Sequence, residues 1–166
     1  NPLATETCDG VDNDCSNGAD DNDPNLDLST AITWYADVDN DGQGTPNQTS
    51  NACLLPIGYQ SNSMDCDDSQ ATTYSGSAAA ETTTGCYADK DLDGYGDSAP
   101  TPGVDAGTDC DDSTDSTYPG ADDEVGDGID QSCDQLDGID ADGDGYASQL
   151  SGGSDCDDGD NSISPV

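Results

Sequence analysis

The string Asp-x-Asp-x-Asp-Gly occurs three times in this chain: Asp37, Asp39, Asp41 and Gly42; Asp89, Asp91, Asp93 and Gly94; Asp140, Asp142, Asp144 and Gly145. Carboxylates at alternate positions one, three and five, followed by a glycine that permits a sharp turn, are how an EF-hand-type loop wraps a calcium ion. Position seven would add a backbone carbonyl from Gln43, Tyr95 or Tyr146, and a carbonyl serves whatever the residue type. The usual glutamate at position twelve is missing. Calcium takes about six to eight oxygens, so each loop needs further ligands. The motif Asp-Cys-Asp-Asp follows every loop and is the obvious supplier, through Asp65, Asp67 and Asp68, then Asp109, Asp111 and Asp112, then Asp155, Asp157 and Asp158.

The donor set selects the ion. All-oxygen sites with flexible spacing suit calcium, whereas magnesium demands a tight octahedron and keeps its waters. Zinc and copper favour imidazole or thiolate, but the chain has no histidine and no Cys-x-x-Cys pair. Crowding carboxylates about 5 Å apart costs about 0.8 kcal/mol per pair even at the dielectric constant of water. Folding without metal is therefore expected to be unfavourable, and three or more calcium ions are expected per chain, about six if a second ligand set contributes.

That second set lies in the elements that link one loop and closing motif to the next. All three glutamates sit there: Glu6, Glu81 (13 residues after Asp68) and Glu124 (12 after Asp112). Read from each glutamate, Glu6-Thr-Cys-Asp-Gly-Val-Asp-Asn-Asp-Cys15 aligns with Glu124-Val-Gly-Asp-Gly-Ile-Asp-Gln-Ser-Cys133, and Glu81 to Cys86 is a shortened copy. Glu6, Asp9, Asp12 and Asp14, Glu81, and Glu124, Asp127 and Asp130 are thus candidate further ligands. Asp20, Asp21, Asp23 and Asp27 lack the glycine and read as solvent-facing or edge ligands.

The loop starts lie 52 and 51 residues apart, so the chain is a tandem repeat. The boundaries expected are 1–68 for a first repeat with an insertion, 69–112 for a second and 113–166 for a third, the last completed by residues 1–15 of a neighbouring chain. The best strand is Ala31-Ile-Thr-Trp-Tyr35, feeding the first loop, and Tyr87 holds the same place before the second. No helical period runs for a useful length; a helical turn is expected only after Asp-Cys-Asp-Asp, where Asp is a good N-cap. The fold class is a small, mostly irregular β protein, with short strands, little helix, and tandem calcium loops stapled by metal and disulfides.

Composition excludes several classes. With 38 acidic residues against one basic residue the formal charge is −37, which rules out nucleic acid as a partner. Hydrophobic residues make up 30% of the chain and Phe is absent, so side chains alone cannot build the core usual at this length. The same figures fit an acidic disordered tail, but 35 of the acids are Asp, and Asp beside Gly and Asn is turn chemistry. The longest apolar run, Leu54-Leu55-Pro56-Ile57, is too short for a membrane span. With no histidine, no Gly-x-Ser-x-Gly and one lysine, an enzyme is not expected.

At this point the residues resemble the metal-binding repeat family named after MopE, found in secreted and surface proteins of bacteria and archaea. Its pattern is Tyr-x-Asp-x-Asp-Gly-Asp-Gly-Tyr-Gly, Asp-Cys-Asp-Asp, Pro-Gly-Ala-x-Glu and Asp-Gly-x-Asp-x-x-Cys. Tyr87 to Gly96, Asp109 to Asp112, Pro119 to Glu124 and Asp127 to Cys133 match it nearly throughout, and Cys53-Leu-Leu-Pro-Ile-Gly-Tyr59 looks like the family's Cys-x-x-Pro-x-Gly-Tyr. Thrombospondin type 3 repeats are similar in the acidic loop and the use of disulfides. The family's namesake binds copper; this chain has no histidine to offer it.

Eight cysteines point to disulfides and an oxidising compartment, hence an extracellular or cell-surface location. Cys8 and Cys53 occur only in the first repeat and are expected to pair. The other six allow two schemes: 15–66, 86–110 and 133–156, or 66–86 and 110–133 with Cys15 and Cys156 unmatched. The second is preferred because it ties each Asp-Cys-Asp-Asp to the next linker, and each bridge should contribute about 3 kcal/mol. The function expected is a calcium-hardened extracellular structural protein, a head-to-tail filament or surface-appendage subunit whose partners are copies of itself. Its last closing motif stands halfway through a unit that Asn1 to Glu6 would continue; one period of a longer repeat protein is the other reading of those ends. The alternative function is a calcium-dependent adhesion or ligand-binding module using Trp34 and Tyr35, with surface glycans as a possible ligand. Asn47-Gln-Thr49 is an N-glycosylation sequon, and Ala71 to Thr84 is rich enough in Ser and Thr to carry O-linked sugar.

Overall fold

A computed structural model of the chain describes residues 1–125 and 127–165. The chain divides into two compact units, Asn1–Ala71 and Thr72–Val166.

In the first unit the β-branched and aromatic run forms strand β1, Ile32–Ala36, one residue later than the spacing predicts. It is the centre of a three-stranded antiparallel sheet between β2, Thr45–Ala52, and β3, Tyr59–Gln60. The composition of β2 gives little sign of a strand, and Pro46 is tolerated there because β2 lies at the sheet edge. Trp34 pairs with Ser50 and Tyr35 with Thr49, but Ala36 pairs with Thr45, and this slip ends the ladder where the first acidic loop begins. Trp34 is half-buried, and its indole N–H donates to the Ala52 carbonyl at 3.0 Å. Asn47 is exposed on β2.

In the second unit β4, Thr73–Ser75, pairs antiparallel with β5, Cys86–Ala88, which runs directly into Asp89. Tyr95 and Tyr118 stack at 5.3 Å with ring planes 5° apart. The helical turn expected after Asp-Cys-Asp-Asp is not formed. Each motif makes one hydrogen-bonded turn instead, Gln70 to Asp67, Thr114 to Asp111 and Asp160 to Asp157, at 2.9, 3.1 and 3.0 Å. The carboxylates of Asp67 and Asp111 bond the hydroxyls of Ser69 and Ser113, a local alternative that competes with helix propagation. The 3-10 turns lie elsewhere, at Asp20–Asn22 and Leu28–Thr30; Asp27 caps the second by accepting from Ser29 N at 3.0 Å.

Cys8 is bonded to Cys53 and Cys110 to Cys133, with Cα separations of 5.2 and 5.6 Å. Cys66 and Cys86 are also disulfide-bonded, while Cys15 and Cys156 are free. This is the second pairing scheme.

Among the described residues the buried hydrophobic side chains are Ala36, Ala78 and Ala121, whereas the largest fully buried side chains are Glu6, Thr73, Asp65, Asp109 and Asp155. The interior is thus lined with carboxylates rather than hydrocarbon. Close backbone approach does the remaining work: a Cβ on Gly44 would lie 2.5 Å from Tyr35 Cβ and 2.6 Å from the Asn62 carbonyl oxygen. Gly44→Ala should therefore destabilise the first unit by about 1–3 kcal/mol, visible as a lower melting temperature in calcium. An unchanged melting temperature would contradict the packing described.

Candidate metal centre

The three acidic loops share their hydrogen bonds at positions three, five and seven. The position-five amide donates to the position-three carboxylate at 3.2 Å in every case: Asp41 to Asp39, Asp93 to Asp91 and Asp144 to Asp142. The position-seven amides of Gln43, Tyr95 and Tyr146 donate to Asp41, Asp93 and Asp144 at 2.6, 2.8 and 3.0 Å. Gly42, Gly94 and Gly145 occupy position six with φ of 89°, 97° and 89°, the left-handed conformation that a residue with a Cβ resists.

The closing motif folds back onto its loop just as regularly. The amides of Asp65, Asp109 and Asp155 donate to the position-eight carbonyls of Gly44, Gly96 and Ala147 at 3.1, 2.9 and 2.9 Å. The last carboxylates, Asp68, Asp112 and Asp158, accept from the position-two amides of Val38, Lys90 and Ala141 at 2.6, 2.7 and 2.7 Å. Ligand oxygens of Asp37, Asp39 and Asp41 lie within 4.8 Å of one another, as do those of Asp39, Asp65 and Asp68, and of Asp89, Asp91 and Asp93.

These bonds use one oxygen of each carboxylate and leave the other. Buried oxygens without a hydrogen-bond partner occur on Asp39, Asp41 and Asp65, on Asp91, Asp93 and Asp109, and on Asp142, Asp144 and Asp155. The same three positions are affected in each loop, and Asp37 adds one more such oxygen. An unpaired buried polar group costs about 1–3 kcal/mol, and more when charged, whereas a buried methyl returns about 0.8 kcal/mol. Three buried alanines cannot offset ten such oxygens, whereas a hard cation held inside each loop would satisfy them. The site donors grouped together are carboxylates, since the sulfurs of Cys110 and Cys133 beside Asp109 are joined to each other and give no thiolate.

Burial pushes the carboxyls of Asp65 and Asp109 up to about 6, with neighbouring Asp charges adding to the effect. Burial also raises Asp39, Asp41, Asp89, Asp93, Asp112 and Asp142. Asp67 is lowered, first by the Ser69 hydroxyl and then by Gln70. Position one splits its work. Asp89 accepts from Leu92 and Gly94, and Asp140 from Gly143 and Gly145, so these two carboxylates shape their own loops.

The linker acids behave less uniformly. Glu6 is 1% exposed and accepts from the amides of Asn13 and Asp20 at 2.8 and 2.9 Å. Asp9 and Asp127 occupy matching places, accepting from Val11 and Ile129, and Asp12 and Asp130 accept from Ser16 and Asp134 at 3.1 Å each. The three glutamates do not share one position, however. Glu81 is turned to the amide and hydroxyl of Thr108, at 2.6 and 2.7 Å. Glu124 is exposed, and its neighbour Asp123 is the buried acid, with Oδ1 unpartnered. Spacing carried that signal: Asp123 stands four residues after Pro119, as Glu6 does after Pro2. From Asp9 and Asp127 onward the alignment by residue type holds, so the departure is confined to the residues before them.

The group read as edge ligands also resolves differently. Asp20 accepts from the amides of Asp9 and Gly10, and Asp21 from those of Cys53 and Leu54, so both brace loops. Asp23 is 3% exposed, has one unpartnered oxygen, and clusters with Glu6 and Asp14 within 4.8 Å. Its other oxygen accepts from the amide two residues on, Asn25, as the first Asp of each closing motif does, and this is the similarity a glycine-based search overlooks.

Loops of this construction define a metal-binding repeat protein. The chain matches the Cu-binding MopE family, described as "Putative metal-binding motif", over residues 1–24, 65–92, 109–140 and 155–166, more than half its length, and belongs to it. The matched segments hold the closing motifs and the linkers. No curated protein and no solved structure matches the chain.

The raised carboxyls set the sign of a pH test. In chelator, a folded-state pKa above the unfolded 3.8 gives stability that is present below pH 3.8 and lost as pH rises through about 6. The loss should be about 3 kcal/mol for each of Asp65 and Asp109. With metal bound the carboxylates must ionise, so stability should instead rise over the same window. The fraction folded, followed from pH 4 to 7 in chelator and in calcium, should move in opposite directions, and Asp109→Asn should weaken both trends where Asp122→Asn leaves them intact. Parallel trends would contradict this.

Proposed function

We propose that the chain is a calcium-binding extracellular structural protein whose copies join head to tail into a filament or surface appendage. The observation that carries the calcium reading is the set of three unpartnered buried carboxylate oxygens recurring at the same positions of all three loops. Calcium suits this set because it accepts about six to eight oxygens in flexible geometry. The family name refers to copper, but copper is held by imidazole or soft sulfur, and this chain has no histidine and no paired free thiols.

Disulfides favour an oxidising location. No helix among the described residues is long and apolar enough to cross a membrane. The reading assigns the carboxylates to cations and gives none a catalytic role.

A calcium-dependent adhesion module is the second reading. The observation favouring it is the exposed turn Leu54, Leu55 and Ile57 beside the Cys8–Cys53 bridge, rather than Trp34, whose indole is engaged within the sheet.

Calorimetric titration of the metal-free chain should register three or more calcium ions with Kd values of about 10⁻⁴ to 10⁻³ M, as in extracellular modules, and light scattering should show association growing with protein concentration in calcium. Fewer than three ions, or copper displacing calcium stoichiometrically, would overturn the metal assignment. A monomer at high concentration would overturn the assembly.

A further inference from the structure

Outside the three loops, one group of acids converges in the first unit. Ligand oxygens of Glu6, Asp14 and Asp23 lie within 4.8 Å of one another, Glu6 and Asp23 buried and Asp14 half-buried. None of the three belongs to an Asp-x-Asp-x-Asp-Gly string or to an Asp-Cys-Asp-Asp motif.

The backbone aims all three. Glu6 accepts one amide on each oxygen, from Asp20 on Oε1 and from Asn13 on Oε2, and its carbonyl accepts from Asp27 at 2.9 Å. Asp14 Oδ1 accepts from the amide and the hydroxyl of Ser16 at 2.9 and 2.7 Å. Asp23 is 3% exposed; its Oδ1 accepts from the Asn25 amide at 2.6 Å, and its Oδ2 is buried with no partner. A carboxylate oxygen has two lone pairs, so an oxygen that already accepts an amide can still take a ligand. Ionised carboxylates only accept, and residues 1–71 contain no Lys, Arg or His to meet them.

A later linker meets the same need with a hydroxyl. There the buried acid is Asp123, which stands four residues after a proline as Glu6 does, and Ser132 precedes the linker cysteine as Asp14 precedes Cys15. Ser132 Oγ donates to Asp123 Oδ2 at 3.2 Å, leaving Oδ1 unpartnered. In the first linker a second carboxylate replaces that donor and Asp23 adds a third. What joins these three must carry positive charge.

We infer that Glu6, Asp14 and Asp23 hold a calcium ion of their own, at a site separate from the three loops. Three carboxylates supply part of the shell of about six to eight oxygens, and water completes it. The ion ties together three passes of the chain between residues 6 and 23, beside the Cys8–Cys53 bridge. The choice of calcium rests on the reading given for the loops; the site itself rests on its own residues and is independent of any assembly.

The test uses the whole chain as wild type, Asp23→Asn and Asp93→Ala. Bound calcium is counted by native mass spectrometry, and the amides of Asn13 and Asp20, which bond Glu6, are followed by NMR during a calcium titration. Wild type should bind at least four ions. Asp23→Asn retains an oxygen for the Asn25 amide and gains a donor for Glu6 or Asp14, so it should fold and bind one ion fewer. Its Asn13 and Asp20 signals should no longer move with calcium, while those of Asp65, Asp109 and Asp155 still do. Asp93→Ala should also lose one ion but keep the Asn13 and Asp20 response. If Asp23→Asn does not fold, Asp14→Ser takes its place with the same expected loss. Full stoichiometry in the folded variant, or Asn13 and Asp20 amides in wild type that stay still while the loops fill, would overturn the site. A response at Asn13 and Asp20 with the three loop amides silent would instead overturn the loop reading and leave this site standing.

Discussion

Everything in this structure depends on carboxylates that are buried and half-satisfied. A globular chain usually excludes water with hydrocarbon, and among the described residues the buried hydrophobic side chains are three alanines. Asp65, Asp109 and Asp155 take the central places instead. One oxygen of each is consumed by a backbone amide, which fixes the side chain's direction, and the other points where no protein group meets it. Such an arrangement should be unstable on its own, and a cation bound there would supply what a hydrophobic core supplies elsewhere. The short strands, the glycines and the bridges then serve to hold loop and closing motif at the separation that one ion can span.

Much of this was legible in the residues. The alternate Asp positions, the glycine at position six and the need for the closing motif all follow from what an oxygen-liganded metal loop requires, and the structure folds Asp-Cys-Asp-Asp back onto its loop through the amide of its first residue and the carboxylate of its last. Strand β1 announced itself by its β-branched and aromatic content. Strand β2 did not, because its sequence, Thr-Pro-Asn-Gln-Thr-Ser-Asn-Ala, has weak strand propensity and is extended by pairing with its neighbour. Acids outside the loops were harder. Asp20, Asp21 and Asp27 are spent on backbone amides, a role that depends on where the chain returns in space, and Asp123 rather than Glu124 is the buried acid of its linker.

Repeat construction extends the same economy to the connections. Loop, closing motif and linker form one unit whose cysteine bond joins its later parts, and the copies differ mainly in what is inserted between them. The insertion in the first unit, carrying β2 and the Cys53 that bonds Cys8, adds a small sheet whose Gln60 donates to the position-one Asp37, while the bonds at positions three, five and seven are those of the other loops. Cation, bridge and backbone turn are therefore three separable contributions, and the cation is the one the environment can withdraw.

The most direct measurement of that dependence is amide hydrogen exchange at Asp65, Asp109 and Asp155, whose N–H groups bond the position-eight carbonyls and so report closure of each loop. In calcium all three should be protected, and in chelator at the same pH all three should exchange at close to the rate of an open chain. Equal protection in calcium and in chelator would mean that the loops close without an ion, and would contradict the account.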